Sequence, residues 1–177
     1  MKRVLCSMVL FLLLANVGQV HASYMLPYPS YMPGNTLYRL SRVLDRVKVH
    51  WSFGSIAQAK TYMSLSDKYL VEAKTLFEYQ QYLLGADALM RSNIAYEQIP
   101  IYIQQGRNER KDMSGVMDML IAQNMVHKGV LSQMAQDVPK EFLWTPEKTS
   151  ATKLPLFESI TGAMYIRQSI VDKLVPI

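Results

Sequence analysis

The chain predicts an all-α protein: an up-and-down bundle of four to five helices with an extended N-terminal leader. Three observations predict it. Ile56, Met63, Leu70, Phe77 and Leu84 recur every seven residues, with Ala59, Ser66, Ala73 and Gln80 interleaved. That spacing describes a long helix with large residues on one seam line and mostly small ones on the other. Leu37, Leu40, Leu44, Val47 and Trp51 recur at spacings of three and four, so a shorter helix carries one apolar face. Half of the 177 residues are hydrophobic and 19% are charged, enough apolar matter for the core of one domain. The rest of the chain is expected to cover these two apolar faces.

Residues 1–22 read as a secretory signal peptide. Lys2-Arg3 is the positive region, Val4 to Leu14 the apolar run, and Val20-His21-Ala22 places cleavage between Ala22 and Ser23. The apolar run is shorter than the ~20 residues of a membrane span. Retention as an anchor is the alternative. Cys6, the single cysteine, lies too early for lipidation and leaves with this segment, so the mature chain is expected to hold no disulfide and no thiolate metal site. Loss of Lys2 and Arg3 reduces 19 basic residues to 17 against 14 acidic ones, a net charge of +3. That charge is too mild to argue for nucleic acid. The destination is a secreted or extracytoplasmic one.

Residues 23–35 hold Pro27, Pro29 and Pro33 among Tyr24, Met25, Tyr28, Tyr31 and Met32. Proline excludes a helix and pushes its predecessor to extended geometry, so this leader is expected to lay its aromatics on the bundle. Asn35 or Thr36 caps the first helix, which runs to about Trp51. Its polar side carries a row of Arg39, Arg42, Arg46 and His50, with Asp45 and Lys48 flanking the apolar face. Such a row is either a solvated face or a stripe for an anionic surface. Gly54 makes the turn, and Ser55 with Gln58 has the form of a capping box. The second helix runs to about Leu83, with Lys68–Glu72 and Lys74–Glu78 at ion-pair spacing.

Several residues of this region carry a resemblance. Leu26-Pro27, Leu37-Tyr38-Arg39-Leu40, Asp45-Arg46-Val47-Lys48, Trp51-Ser52-Phe53 and Leu70-Val71-Glu72-Ala73 resemble the pattern of a bacterial extracytoplasmic helical domain family to which no function is assigned. The likeness covers about residues 26–99. It departs from the family pattern at Asp45, where glutamate is more usual, at Gly54-Ser55, where the helix start is Asp-Pro, and at Tyr69, where arginine is common. The resemblance implies a secreted helical domain and supplies no catalytic residues.

Gly85 is expected to break the second helix, and Leu89, Ser92, Tyr96, Ile99 and Ile103 continue the heptads in a third. Pro100 should kink or split that helix, and Gly106 should stop it. Asn108 is a candidate cap for a fourth helix through Asp137, with Met113, Met117, Leu120, Asn124, Leu131 and Met134 along its face. Residues 139–155 read as a linker in which Phe142, Leu143 and Trp144 anchor the crossover. Residues 156–177 form a last helix with Ile160, Ala163, Met164, Ile170, Val171 and Leu174 toward the core.

The chemistry is negative. Of His50 and His127 neither belongs to a His-x-x-x-His or Glu-x-x-His motif, and no phosphate loop or nucleophile elbow occurs. Glu72, Glu78 and Glu97 lie on neighbouring helices, as carboxylates do in any bundle. These readings point to a non-catalytic secreted or cell-envelope module, without cofactor, that acts through contacts with a protein partner or with itself. The alternative is a peripheral binder of anionic membrane or wall polymer through Arg39, Arg42, Arg46 and Lys48. A lesser alternative is a methionine-based metal carrier using Met113 and Met117, since thioethers suit Cu(I). Methionine on an apolar seam fills space, however, and that reading makes a prediction. Ag(I), a Cu(I) mimic, should leave the melting temperature unchanged; a saturable rise that depends on Met113 and Met117 would overturn it.

Overall fold

The computed structural model describes residues 24–146 and 150–174. The expected signal peptide, its cleavage site at Ala22 and Cys6 lie outside them. The elements are α1 (Thr36–Trp51), α2 (Ser55–Glu78), α3 (Tyr82–Asn108), α4 (Ser114–Asp137), β1 (Phe142–Trp144), β2 (Thr152–Leu154) and α5 (Leu156–Leu174). The chain is an all-α bundle with one small antiparallel hairpin, in which Leu143 pairs with Lys153.

Helices α2 to α5 form the bundle, and their seams meet in two apolar clusters. One joins the second half of α2 and the first half of α3 to the second half of α4 and the first half of α5: Leu70, Phe77, Leu89, Leu131 and Ile160. The other joins the opposite halves: Met63, Ile99, Ile103, Leu120 and Val171. First halves meeting second halves means that successive helices run antiparallel. Each fully buried aliphatic or methionine side chain contributes about 1.5–3 kcal/mol. Met63, Leu70 and Phe77, with Ala59 and Ala73, fill the clusters as expected, whereas Ser66 lies in neither; Gln80 and Leu84 stay outside because α2 ends at Glu78.

Several boundaries differ from expectation for local reasons. Gly85 does not break a helix. The turn falls earlier, at Tyr79–Gln81, with Gln80 in the left-handed region at φ 57°. Gly85 instead lies buried near the start of α3, where its missing side chain admits the Phe77 ring. Gly106 likewise lies inside α3 against Met113, and Arg110 at φ 56° takes the turn. Helix α3 runs unbroken through Pro100. Asn108 does not cap α4, which starts at Ser114, its N–H bonded to Asp112 Oδ1 at 2.9 Å. Of the three expected anchors Phe142 packs on the bundle, 5.0 Å from the Tyr82 ring and joined there by Leu154, while Leu143 and Trp144 remain exposed.

The start of α2 is the clearest correction. Ser55 does not accept from Gln58; its hydroxyl donates to Glu109 Oε2 across the bundle at 2.8 Å. The Gln58 amide donates to the carbonyls of Val49 and Ser52, so it closes the end of α1 rather than the start of α2.

Glycine positions give a stability prediction. At Gly85 an added Cβ would meet the Phe77 ring at 2.7 Å, whereas at Gly129 in α4 it would meet nothing within 4 Å. Gly85→Ala should lose about 1–3 kcal/mol in urea unfolding through overpacking. Gly129→Ala should gain about 0.5–1 kcal/mol through helix propensity. A Gly85→Ala protein as stable as the wild type would contradict the close approach.

Candidate functional site

Two features stand apart from an ordinary bundle: a polar layer across its middle, and the way α1 is attached.

Between the two apolar clusters each bundle helix contributes polar side chains at one level. Helix α2 gives Ser66 and Asp67, α3 gives Ser92 and Asn93, α4 gives Gln123 and His127, and α5 gives Arg167. Arg167 is 0% exposed. Its guanidinium donates to His127 Nδ1 at 2.9 Å, Asn93 Oδ1 at 2.6 Å, Ser92 Oγ at 2.7 Å and the Ala163 carbonyl at 2.9 Å. Arginine can only donate, so His127 Nδ1 is unprotonated and Nε2 carries the hydrogen. Nε2 donates to Asp67 Oδ1 at 2.7 Å. Gln123 also donates to Oδ1, and the leader residue Tyr24 donates its hydroxyl to Oδ2 at 2.5 Å. A neutral imidazole thus bridges a buried carboxylate and a buried cation.

The environment tunes these groups. Burial, reinforced by the Arg167 charge and partly offset by Asp67, holds the His127 imidazole below its ordinary range. Burial draws Arg167 down to about 10, which leaves it cationic near neutrality. Burial and the bond to Asp67 push the Tyr24 hydroxyl up. Both nitrogens of His127 are engaged, so the ring has no free position for proton transfer. The sequence signal for this layer was the polar residue in the seams of α2 and α3, Ser66 and Ser92; Arg167 stood outside the seam that the sequence assigned to α5 and gave no signal.

The second feature is α1. Its expected apolar face does not enter a core. Leu40 is 54% exposed, Leu44 57% and Trp51 77%; Leu37 and Val47 are exposed beside them. The polar side docks instead. Asp45 is buried and accepts from Lys68 Nζ at 2.6 Å and from the Tyr69 hydroxyl at 3.0 Å. The Tyr38 hydroxyl donates to the buried Glu72 at 2.8 Å, and Arg91 reaches the same oxygen at 3.1 Å. The Tyr69 ring lies beneath three cations, Arg91 at 5.1 Å, Arg42 at 5.7 Å and Lys68 at 5.9 Å. Val49, against Leu65 and Tyr69, is the aliphatic residue of α1 that turns inward.

The physical reason lies in α2. Thr61, Ser64, Lys68 and Glu72 make a polar stripe at spacings of three and four, and only the polar side of α1 satisfies it. Lys68 and Glu72 therefore do not pair with each other as their spacing suggested; each bonds to α1. Lys74 and Glu78 do pair.

The basic row divides. Arg39 and Arg46 are exposed beside the apolar stripe, while Arg42 turns in over Tyr38 and Tyr69. Lys48 is exposed on the other flank, with Ser64 Oγ 3.4 Å from its Nζ. His50 is exposed and its Nδ1 lies 2.9 Å from the Arg46 carbonyl. Met113 is buried against Gly106, and the Arg107 guanidinium lies 3.9 Å from the Met117 sulfur. Glu72 is buried with Arg91, whereas Glu78 and Glu97 are exposed and apart from it. Among the described residues, no group of three or more His, Cys, Asp or Glu side chains could hold a metal ion, and no helix is long and apolar enough to cross a membrane.

No family model, curated protein or solved structure matches the chain.

The polar layer predicts a pH dependence. The unfolded chain protonates His127 near its ordinary pKa of about 6.5, and the folded chain does so only at lower pH. The folded pKa is depressed, so the unfolded state binds more protons as pH falls below about 6.5, and stability drains by up to about 1.4 kcal/mol per pH unit. His127→Gln keeps a donor toward Asp67 and an acceptor toward Arg167. Urea unfolding between about pH 7 and 5 should show a slope shallower by roughly one proton in this variant. Equal slopes would remove His127 from the account.

Proposed function

We propose that this chain is a non-catalytic, extracytoplasmic helical module that acts by surface contact, and that the outer face of α1 is the contacting surface. One observation carries the proposal: a strongly amphipathic helix is fastened to a folded bundle by its polar side and presents its apolar side outward. Contiguous exposed apolar surface on a folded protein marks an interaction site. The polar seat also presents that surface without any refolding of α1.

The remaining chemistry agrees with this reading. Among the described residues, the one histidine that meets a carboxylate is buried and fully engaged, which suits a scaffold better than turnover. Met113 fills core space, and the cation beside Met117 opposes capture of a metal cation there. The signal-peptide reading of residues 1–22 and the resemblance over residues 26–99 supply the extracytoplasmic part of the proposal.

A photoreactive residue at Leu44 tests it in the native cells, with one at the exposed Lys128 of α4 as the control. The α1 position should give a discrete adduct that is lost in a Leu40→Asp/Leu44→Asp protein, whose melting temperature should stay close to the wild type because both side chains face solvent. An unmodified chain from Leu44, with neither protein nor lipid attached by mass analysis, or the same adducts from Lys128, would overturn the proposal.

A further inference from the structure

The occupant of the α1 face can be argued from its dimensions and charge, given the contact reading above on which this rests. We propose that α1 is an interfacial helix that lies on an anionic phospholipid bilayer.

Placed at 3.6 residues per turn, Val43, Val47, Leu40, Trp51, Leu44 and Leu37 span an arc of about 120°. All six are exposed. Arg39, Arg46 and His50 line one edge of that arc, and Lys48 lines the other. Asp45, the sole carboxylate of α1, is withdrawn beneath the helix onto Lys68 and Tyr69. The outer face is therefore an apolar strip with basic residues on both borders and no acid of its own. At its end stand Trp51 and, just beyond, Phe53, the latter 82% exposed. Aromatic side chains at that position settle at headgroup depth.

A second copy fits this strip poorly. Sixteen residues make a strip about 24 Å long on one helix alone, so a second copy would meet it along that single helix. Two such strips face to face would also set Arg39, Arg46 and Lys48 near their like charges. A bilayer needs no shape match. It accepts a single apolar helical face, and its anionic headgroups pair with basic residues on either border. No refolding is required, since the Asp45–Lys68 and Tyr38–Glu72 contacts already hold the strip outward.

Trp144→Phe leaves Trp51 as the single tryptophan and makes it the reporter. The protein, isolated from cells with the N-terminus it carries there, is titrated with phosphatidylcholine vesicles with and without phosphatidylglycerol. Trp51 emission should shift to the blue with the anionic vesicles only, and raising salt from about 0.1 to 1 M should weaken the binding. Arg39→Glu/Arg46→Glu should weaken it about tenfold or more, and Leu40→Asp/Leu44→Asp should abolish it, both with an unchanged far-ultraviolet spectrum. If the aspartate pair disturbs folding, the charge-reversal pair decides alone. Equal binding to neutral vesicles, or binding that survives charge reversal, overturns the proposal and assigns the attachment to another part of the chain. Absence of binding together with a concentration-dependent dimer lost in Leu44→Asp overturns it in favour of a second copy, and leaves the contact reading standing. Absence of vesicle binding, dimer and adduct at Leu44 sinks both.

Discussion

The buried Arg167 is the constraint on which the bundle depends. A cation with no exposed surface must meet its partners where it lies, and here they come from every neighbouring helix. Ser92 and Asn93 of α3 and His127 of α4 accept from it, and His127 passes the contact to Asp67 of α2. Sliding α3, α4 or α5 by a turn of about 5.4 Å would set the guanidinium among the aliphatic side chains above or below, at a cost of several kcal/mol. The apolar clusters supply most of the stabilisation but tolerate many registers. The polar layer between them allows one.

The layer also reaches the leader. Tyr24 closes the last side of Asp67, and Met32 packs on the edge of the apolar cluster, while Met25, Tyr28 and Tyr31 stay outside. Residues 24–35 are thus tied at two points rather than laid down along their length. Small residues serve the same tight assembly. Ser66 and Ser92 exchange hydroxyl-to-carbonyl bonds across α2 and α3 at 3.1 and 2.8 Å, and Gly85 lets the Phe77 ring lie on the backbone.

Polarity governs α1 by the same rule with the opposite result. Glu72 is buried on α2, and Asp45 is buried where α1 crosses it; each needs donors within reach. Turning the apolar face of α1 inward would take Tyr38 from Glu72 and Asp45 from Lys68, and would set aliphatic side chains against the polar stripe of α2. The apolar stripe of α1 packs on no part of the bundle and is left on the outer surface.

The sequence alone determined the class of the fold, the seams of α2 to α5 and the span of α1. Those follow from the spacing of apolar residues, which is a local property of a helix. The cap of α1 is narrowed to Asn35 or Thr36 in the same way, since a cap bonds two residues away, and Asn35 accepts from the Leu37 N–H. The tertiary structure decided which way an amphipathic helix faces and which polar seam residues meet. Spacing states that Leu40 and Leu44 share a face; it does not state whether a partner face exists, and the stripe of Thr61, Ser64, Lys68 and Glu72 gave α1 a polar one. Likewise Asp67, His127 and Arg167 are 60 and 40 residues apart in the chain, and only antiparallel packing brings them to one level. Burial is a sum over neighbours distant in sequence, and so are the charge balance and hydrogen bonding that decide the fate of an ionisable side chain.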